Sequence, residues 1–176
     1  MSGVNFLFDG ERLNLFFFPK ALQPLGDVFG EDYVFAARCP AERPCDGEWS
    51  NKKADGRPIV LVSALTCYVR GPDYFKMCIE GLKNFPWHII LLIGDSIDPA
   101  ALGPLPPNCE VDQRMPLVKI LPHVSLLVCM GGIITTSEAM YYGVPLLVTS
   151  HGFKELEFQA DNLDALGIGI HQKRTP

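Results

Sequence analysis

Apolar and polar positions alternate in two different textures, and the change falls near residue 55. From residue 57 onward, short apolar runs alternate with amphipathic stretches. Residues 58–63 (PIVLVS) form a continuous apolar run, the pattern of a strand covered on both faces. Residues 73–83 place Tyr74, Met77, Cys78 and Leu82 on one helical stripe. A second buried strand is expected at 88–93 (HIILLI), stopped by Gly94. A turn or helix start follows at 99–102, a third strand at 110–113, and a short helix at 117–121 stopped by Pro122. Residues 126–129 read as a fourth strand, and 135–142 as a helix closed by Gly143. Residues 145–148 are a fifth strand, and 155–166 a helix closed by Gly167. Gly169 and Ile170 begin a sixth strand.

Repeated strand–helix units predict an α/β fold: a Rossmann-like parallel sheet with helices on both faces. Such sheets bind ligands at the carboxyl ends of their strands. The loops after Ser63, Gln113, Cys129 and Val148 are therefore the places to look. Residues 1–55 differ. Apolar stretches at 14–18 (NLFFF) and 33–36 read as short strands, separated and followed by Pro19, Pro24, Gly26, Gly30, Pro40, Pro44 and Gly47. The run Phe16, Phe17, Phe18 has little within this segment to bury it. The expected organisation is a connector-like segment at 1–55 and an α/β domain at 56–176.

Composition narrows the function classes. The chain has 176 residues, 15 basic and 20 acidic, for a net charge of −5. That length excludes two full α/β domains. An acidic balance without a Lys/Arg cluster argues against nucleic acid as a partner. The longest apolar run, residues 89–93, is too short to span a membrane. No basic start and long apolar core mark a signal peptide, so a cytoplasmic location is expected. The six cysteines (Cys39, Cys45, Cys67, Cys78, Cys109, Cys129) form no C-x-x-C pair and read as reduced, with no metal site.

The segment 129–138 (CMGGIITTSE) carries the candidate chemistry. Two glycines allow a tight turn and close backbone approach. The N–H groups and dipole of the following helix favour an anion such as phosphate. Thr135 and Thr136 offer hydroxyls, and Glu138 a carboxylate for sugar hydroxyls. The plainer reading makes Thr135 or Thr136 an ordinary N-cap and Glu138 a solvated acid.

An ordered set of motifs adds to this reading. NLFFFPKALQP at 14–24, PIVLVSALT at 58–66, LPPNCE at 105–110, Gln113-Arg114-Met115-Pro116, TSEAMYYGVP at 136–145 and LGIG at 166–169 occur in sequence. Together they resemble the C-terminal, donor-binding half of a GT-B glycosyltransferase. The similarity lies toward macrolide and other natural-product members of the UDP-glycosyltransferase superfamily. The resemblance implies a UDP- or dTDP-sugar as donor substrate, no separate cofactor and no metal. It implies a small-molecule acceptor in the intact enzyme, and a catalytic histidine on an N-terminal acceptor domain or partner chain. The chain would then not be catalytic alone, and would stop before the final helices that follow Gly169 in the family.

Carried over position by position, the resemblance implies donor contacts at Thr66, Arg114, Met130, Gly132, Thr135, Glu138 and Glu155. Arg114 stands where the family has a base-stacking aromatic residue, and Leu117 where it has a glutamine. Met130 stands in place of a diphosphate-contacting histidine, Ile134 in place of a glycine, and Leu65 in place of a small residue. The family's acidic-Gln pair falls at Lys154-Glu155, or at Glu155-Leu156 with one gap, and lacks its glutamine. Each lost charge-assisted bond costs about 1.5–3 kcal/mol. The departures motivate an alternative: a degenerate, non-catalytic binding or partner module. Elsewhere His123 reads as a surface or capping residue, His88 as structural, His151 as either within reach of the site at the ligand edge or part of a turn, and His171 as near a frayed end. Asp161 and Asp164 read as exposed, and no G-x-S-x-G elbow supports a Ser/His/Asp arrangement.

Overall fold

The computed structural model describes residues 13–37, 39–42, 47–50, 56–64, 71–150, 152 and 154–173. The chain separates into two compact units, residues 1–38 and 39–176. In the first unit, β1 (Asn14–Phe16) pairs in parallel with β2 (Tyr33–Phe35). Phe16 stacks on Phe35 with ring centroids 5.1 Å apart, and Phe18, Phe29 and Tyr33 complete an aromatic cluster. The expected strand at 14–18 thus ends two residues early, and Phe17 stays exposed.

The second unit is built on six parallel strands. They are β3 (Ile59–Ser63), β4 (His88–Leu92), β5 (Cys109–Asp112), β6 (Val124–Cys129), β7 (Leu146–Val148) and β8 (Gly169–His171). The order is β5-β4-β3-β6-β7-β8. Renumbered from the first strand of this sheet, that is the 3-2-1-4-5-6 arrangement of a Rossmann fold. The helices are α1 (Pro72–Leu82), α2 (Leu117–Ile120), α3 (Ile133–Tyr141) and α4 (Lys154–Ala165).

All five residues of β3 and all five of β4 are buried, as their unbroken apolar runs predict. Alternation splits them between two faces. Val60, Val62, Ile89 and Leu91 join Phe75, Cys78 and Ile79 of α1 in one core. Ile59, Leu61, Ile90 and Leu92 point the other way and are just as buried, so the sheet is covered on both sides. Asn108 closes the turn before β5: its side-chain amide donates to the carbonyls of Lys83, Phe85 and Trp87. The described residues 39–42 and 47–50 belong to the second unit, where Trp49 packs on His123 at 5.2 Å.

The order of strands reverses between β3 and β6, so their carboxyl ends diverge into a crevice. Among the described residues, no helix is long and apolar enough to cross a membrane.

Candidate functional site

The crevice lies between the chain leaving β3 and the chain leaving β6. Ser63 and Ala64 end the first path, buried. Leu65 and Thr66, the candidate contacts on that side, lie outside the described residues. On the second path, Met130, Gly131 and Gly132 turn the chain into α3. Gly131 has φ +84°, a left-handed backbone that glycine adopts without strain. A Cβ there would come within 2.9 Å of Val148 Cγ1 on β7, so the turn is also pressed against the neighbouring strand.

α3 begins two residues earlier than the hydroxyls of Thr135 and Thr136 suggest. Gly132 is the N-cap (φ −60°, ψ 134°), and no side chain caps the helix. The first-turn N–H groups have no partner inside the helix and face the crevice end of the sheet. This overturns the N-cap role for the two threonines. Thr135 is half-buried in the first turn, while Thr136 is fully buried. Ser137 instead turns its hydroxyl back onto the Ile133 carbonyl at 2.7 Å. Glu138 follows in the second turn and is 5 % exposed.

The substituted positions behave as their side chains dictate. Met130 is 1 % exposed and belongs to the hydrophobic core, so only its backbone is offered to the edge. Ile134, by contrast, is 52 % exposed on the first turn of α3. Leu117 opens α2. Lys154 and Glu155 open α4, both exposed.

Arg114 follows β5 and its backbone N–H donates to Asp112 Oδ1 at 3.0 Å. Its guanidinium grips Asp95 with two nitrogens: Nε at 2.7 and 2.9 Å, Nη2 at 2.6 Å. The Arg114 hydrogen bond holds the Asp95 carboxyl below its ordinary range, against a small opposing desolvation. Arg114 also borders a cavity of about 160 Å³ together with Trp49, Glu110, Asp112, Met115 and Pro116.

Two further groups stand at the same edge and have no sequence signal. Thr149, just past β7, donates its hydroxyl to the Cys129 carbonyl at 3.3 Å. That leaves the Tyr74 hydroxyl of α1 to donate to Thr149 Oγ1 at 2.7 Å. Burial first, and the nearby Cys78 second, push the Tyr74 phenol well above its ordinary range. The pair ties α1, β6 and β7 together beside the crevice.

Ser150, Asp161 and His171 also meet. Ser150 Oγ lies 2.9 Å from His171 Nε2, and His171 Nδ1 lies 2.9 Å from Asp161 Oδ1. His171 is therefore an ordered strand residue rather than part of a frayed end, and the exposed Asp161 is partnered. Partners 10 and 21 residues apart leave no local motif to read. His151 lies outside the described residues. Among those described, no cluster of three His, Cys, Asp or Glu side chains could hold a metal ion.

No family model matches the chain. Its sequence is 33 % identical over 166 residues to an NDP-glycosyltransferase of Bacillus licheniformis, covering 94 % of this chain and 42 % of that protein. Its fold is similar to the calicheamicin glycosyltransferase CalG4, with a TM-score of 0.76, 31 % identity, and coverage of 96 % of this chain and 43 % of that one. The spinosyn rhamnosyltransferase SpnG, solved in complex with thymidine diphosphate, shares the fold with a TM-score of 0.77 and 22 % identity, over 92 % of this chain and 43 % of its own. The chain thus spans about two-fifths of the length of the relatives it matches. It is a homologue of natural-product glycosyltransferases of the GT-B fold, matching a portion of them consistent with the C-terminal half.

Proposed function

We propose that this chain is the nucleotide-sugar donor-binding half of a glycosyltransferase that transfers a sugar to a hydroxyl of a small-molecule natural product. The observation that carries it is the uncapped N-terminus of α3, entered through Gly131 and Gly132 at the reversal point of the sheet. Backbone N–H groups and the helix dipole there suit the diphosphate of a UDP- or dTDP-sugar. Thr135 supplies a hydroxyl near that anion, and Glu138 a carboxylate for ribose hydroxyls. Arg114 offers the face of its guanidinium to the base, its edge being committed to Asp95. Thr66, outside the described residues, is kept as a donor contact on the resemblance alone, Met130 and Gly132 contribute backbone, and Glu155 meets the sugar. The general base comes from an N-terminal acceptor domain or a partner chain, so the chain alone does not turn over. A cytoplasmic location fits this soluble chemistry.

A second reading is favoured by the exposed Ile134 side chain beside the helix N-terminus and by the burial of Met130. In it, the scaffold is kept but the anion cradle is degenerate, and the module serves a partner.

Calorimetric titration of the chain with UDP and dTDP separates the two. Donor binding predicts saturable heat, weakened about tenfold, or 1.4 kcal/mol, by Glu138→Ala and by Thr135→Ala. No heat with either nucleotide at millimolar concentration overturns donor binding in favour of the degenerate module.

A further inference from the structure

Ser150, Asp161 and His171 come from three successive pieces of one strand–helix–strand unit. Ser150 leaves the end of β7 and is fully buried. Asp161 sits in the second turn of α4, and His171 ends β8 with its imidazole only 5 % exposed. The row runs from Ser150 Oγ to His171 Nε2 at 2.9 Å, and from His171 Nδ1 to Asp161 Oδ1 at 2.9 Å. Lys173 Nζ reaches the same Asp161 oxygen at 2.9 Å. An ionised carboxylate only accepts, so His171 Nδ1–H donates to Asp161 and the ring orientation is set. The Asp161 carboxyl is held below its ordinary range, first by His171 and then by Lys173.

The row is a Ser/His/Asp arrangement without nucleophilic use: a serine with no exposed surface meets no ester carbonyl. Nor does the sheet depend on it. β8 is already zipped to β7 from Leu146↔Gly169 to Val148↔His171, and the Gln172 N–H donates to the Val148 carbonyl at 2.9 Å. The addition it makes is a tie from β8 to α4 through His171, with Ser150 at the end of β7 holding the imidazole from its other nitrogen. A second stitch acts on the helix entry, where the Gly152 N–H donates to Glu157 Oε1 at 3.2 Å. The first turn of α4 carries the exposed Lys154 and Glu155 at the same carboxyl edge as the start of α3.

We propose that Ser150, His171 and Asp161 are positioning residues that set the first turn of α4, and with it Lys154 and Glu155, for the sugar of a bound donor. The sugar part of this proposal rests on the donor-binding reading above. The grip itself does not.

The test uses the whole chain and four variants: His171→Ala, Ser150→Ala, His171→Asn and His171→Gln. Asn reaches from the ring position of Nδ1 toward Asp161, and Gln from that of Nε2 toward Ser150. The first readout needs no ligand. Amide hydrogen exchange at Gly152, bonded to Glu157, and at 158–161, the first fully bonded turn of α4, rises about tenfold in His171→Ala, while β3 and β6 stay within about twofold. Asn, which keeps the bond to Asp161 of α4, restores part of the protection, and Gln, which keeps only the bond to Ser150, restores less. Unchanged exchange at Gly152 and 158–161 in a folded variant overturns the grip. Ser150→Ala, which removes one atom, serves if His171→Ala does not fold.

The second readout is calorimetry with UDP and with UDP-glucose. His171→Ala weakens UDP-glucose about fivefold and leaves UDP within about twofold, a difference of about 1 kcal/mol. Equal loss for both, or loss for neither, overturns the sugar-positioning role. A wild-type chain that binds neither ligand overturns the donor reading and the sugar role with it, while exchange still decides the grip.

Discussion

Replacing Gly131 with alanine tests the turn on which the candidate site depends. Two penalties act there and can be separated. The backbone at φ +84° costs a side-chain-bearing residue about 1–2 kcal/mol. A less flexible unfolded chain returns about 0.4–1 kcal/mol of that. The second penalty is spatial. The new Cβ would lie 2.9 Å from Val148 Cγ1, and Val148 is fully buried on β7 with no room to retreat. Overpacking of this kind costs about 1–3 kcal/mol. Gly131→Ala should therefore destabilise the fold by about 2–4 kcal/mol. Gly143 supplies the control. It closes α3 at φ +69° with nothing within 4 Å of a built Cβ, so Gly143→Ala meets no spatial penalty and has a net cost of about 0–1.6 kcal/mol from the backbone and unfolded-chain effects. For a domain of this size each kcal/mol moves Tm by about 2–4 °C. Thermal and urea unfolding followed by circular dichroism measure both variants. Adding Val148→Ala to Gly131→Ala should recover part of the loss, because the clashing methyl is gone. A Gly131→Ala variant no less stable than Gly143→Ala would refute the claim that the turn is packed against β7.

Tyr74→Phe removes the 2.7 Å bond to Thr149 and should cost about 1–2 kcal/mol by urea unfolding, since Thr149 keeps its bond to Cys129. No loss would mean that water replaces the phenol. Cys78 and Cys129 are both raised to about 11, chiefly by burial, whereas Cys39 is exposed. Ellman's reagent at pH 8 should thus modify Cys39 at once and the two buried thiols only on unfolding, as peptide mapping would check. The Asp95 carboxyl should titrate below the ordinary aspartate value of about 3.9, and Arg114→Gln should return it there. With its folded value depressed, the stabilising contribution of Asp95 is complete above the ordinary range and is lost as pH falls through the folded value. A wild-type carbon-13 titration at the ordinary value would show that the pair does not form in solution.

How far the chain could be read from its letters depended on the range of the forces involved. β3 and β4 were legible because burial on both faces demands unbroken apolar runs, and IVLV and HIILL satisfy that demand locally. β6 starts at Val124 rather than 126 because the strand runs through a bulge at the exposed Ser125, where the register with β3 shifts from Ile59↔Val124 to Val60↔Leu126. α3 starts at Ile133 because glycine geometry, not a hydroxyl, ends the turn. The ligand edge followed from strand–helix alternation alone. Its polar connections did not: Arg114 with Asp95, Tyr74 with Thr149, and Ser150 with His171 and Asp161 each join residues 10 to 75 positions apart. Such pairs leave no period in the sequence, and folding alone brings them together.

Those connections also decide what the edge can do with an anion. A net charge of −5 sets an unfavourable background for a diphosphate. Arg114 does little to reverse it, since Asp95 spends both oxygens on its guanidinium. Among the described residues, the positive potential left beside the crevice comes from the α3 N-terminus, roughly half a charge, and from Lys154 at the start of α4. An exposed helix end of this kind contributes about 0.3–1 kcal/mol, less than one charge-assisted bond at about 1.5–3 kcal/mol. Shape and charge therefore pull apart here. The turn at Gly131 and Gly132 is built for close backbone approach, while Met130 and Ile134 put no donor side chain beside it. The donor-binding reading therefore predicts an affinity that rests on backbone N–H groups and sugar contacts more than on the side-chain cations among the described residues. On that reading, the placing of α4's first turn carries more of the binding than it would in a site with a histidine at position 130.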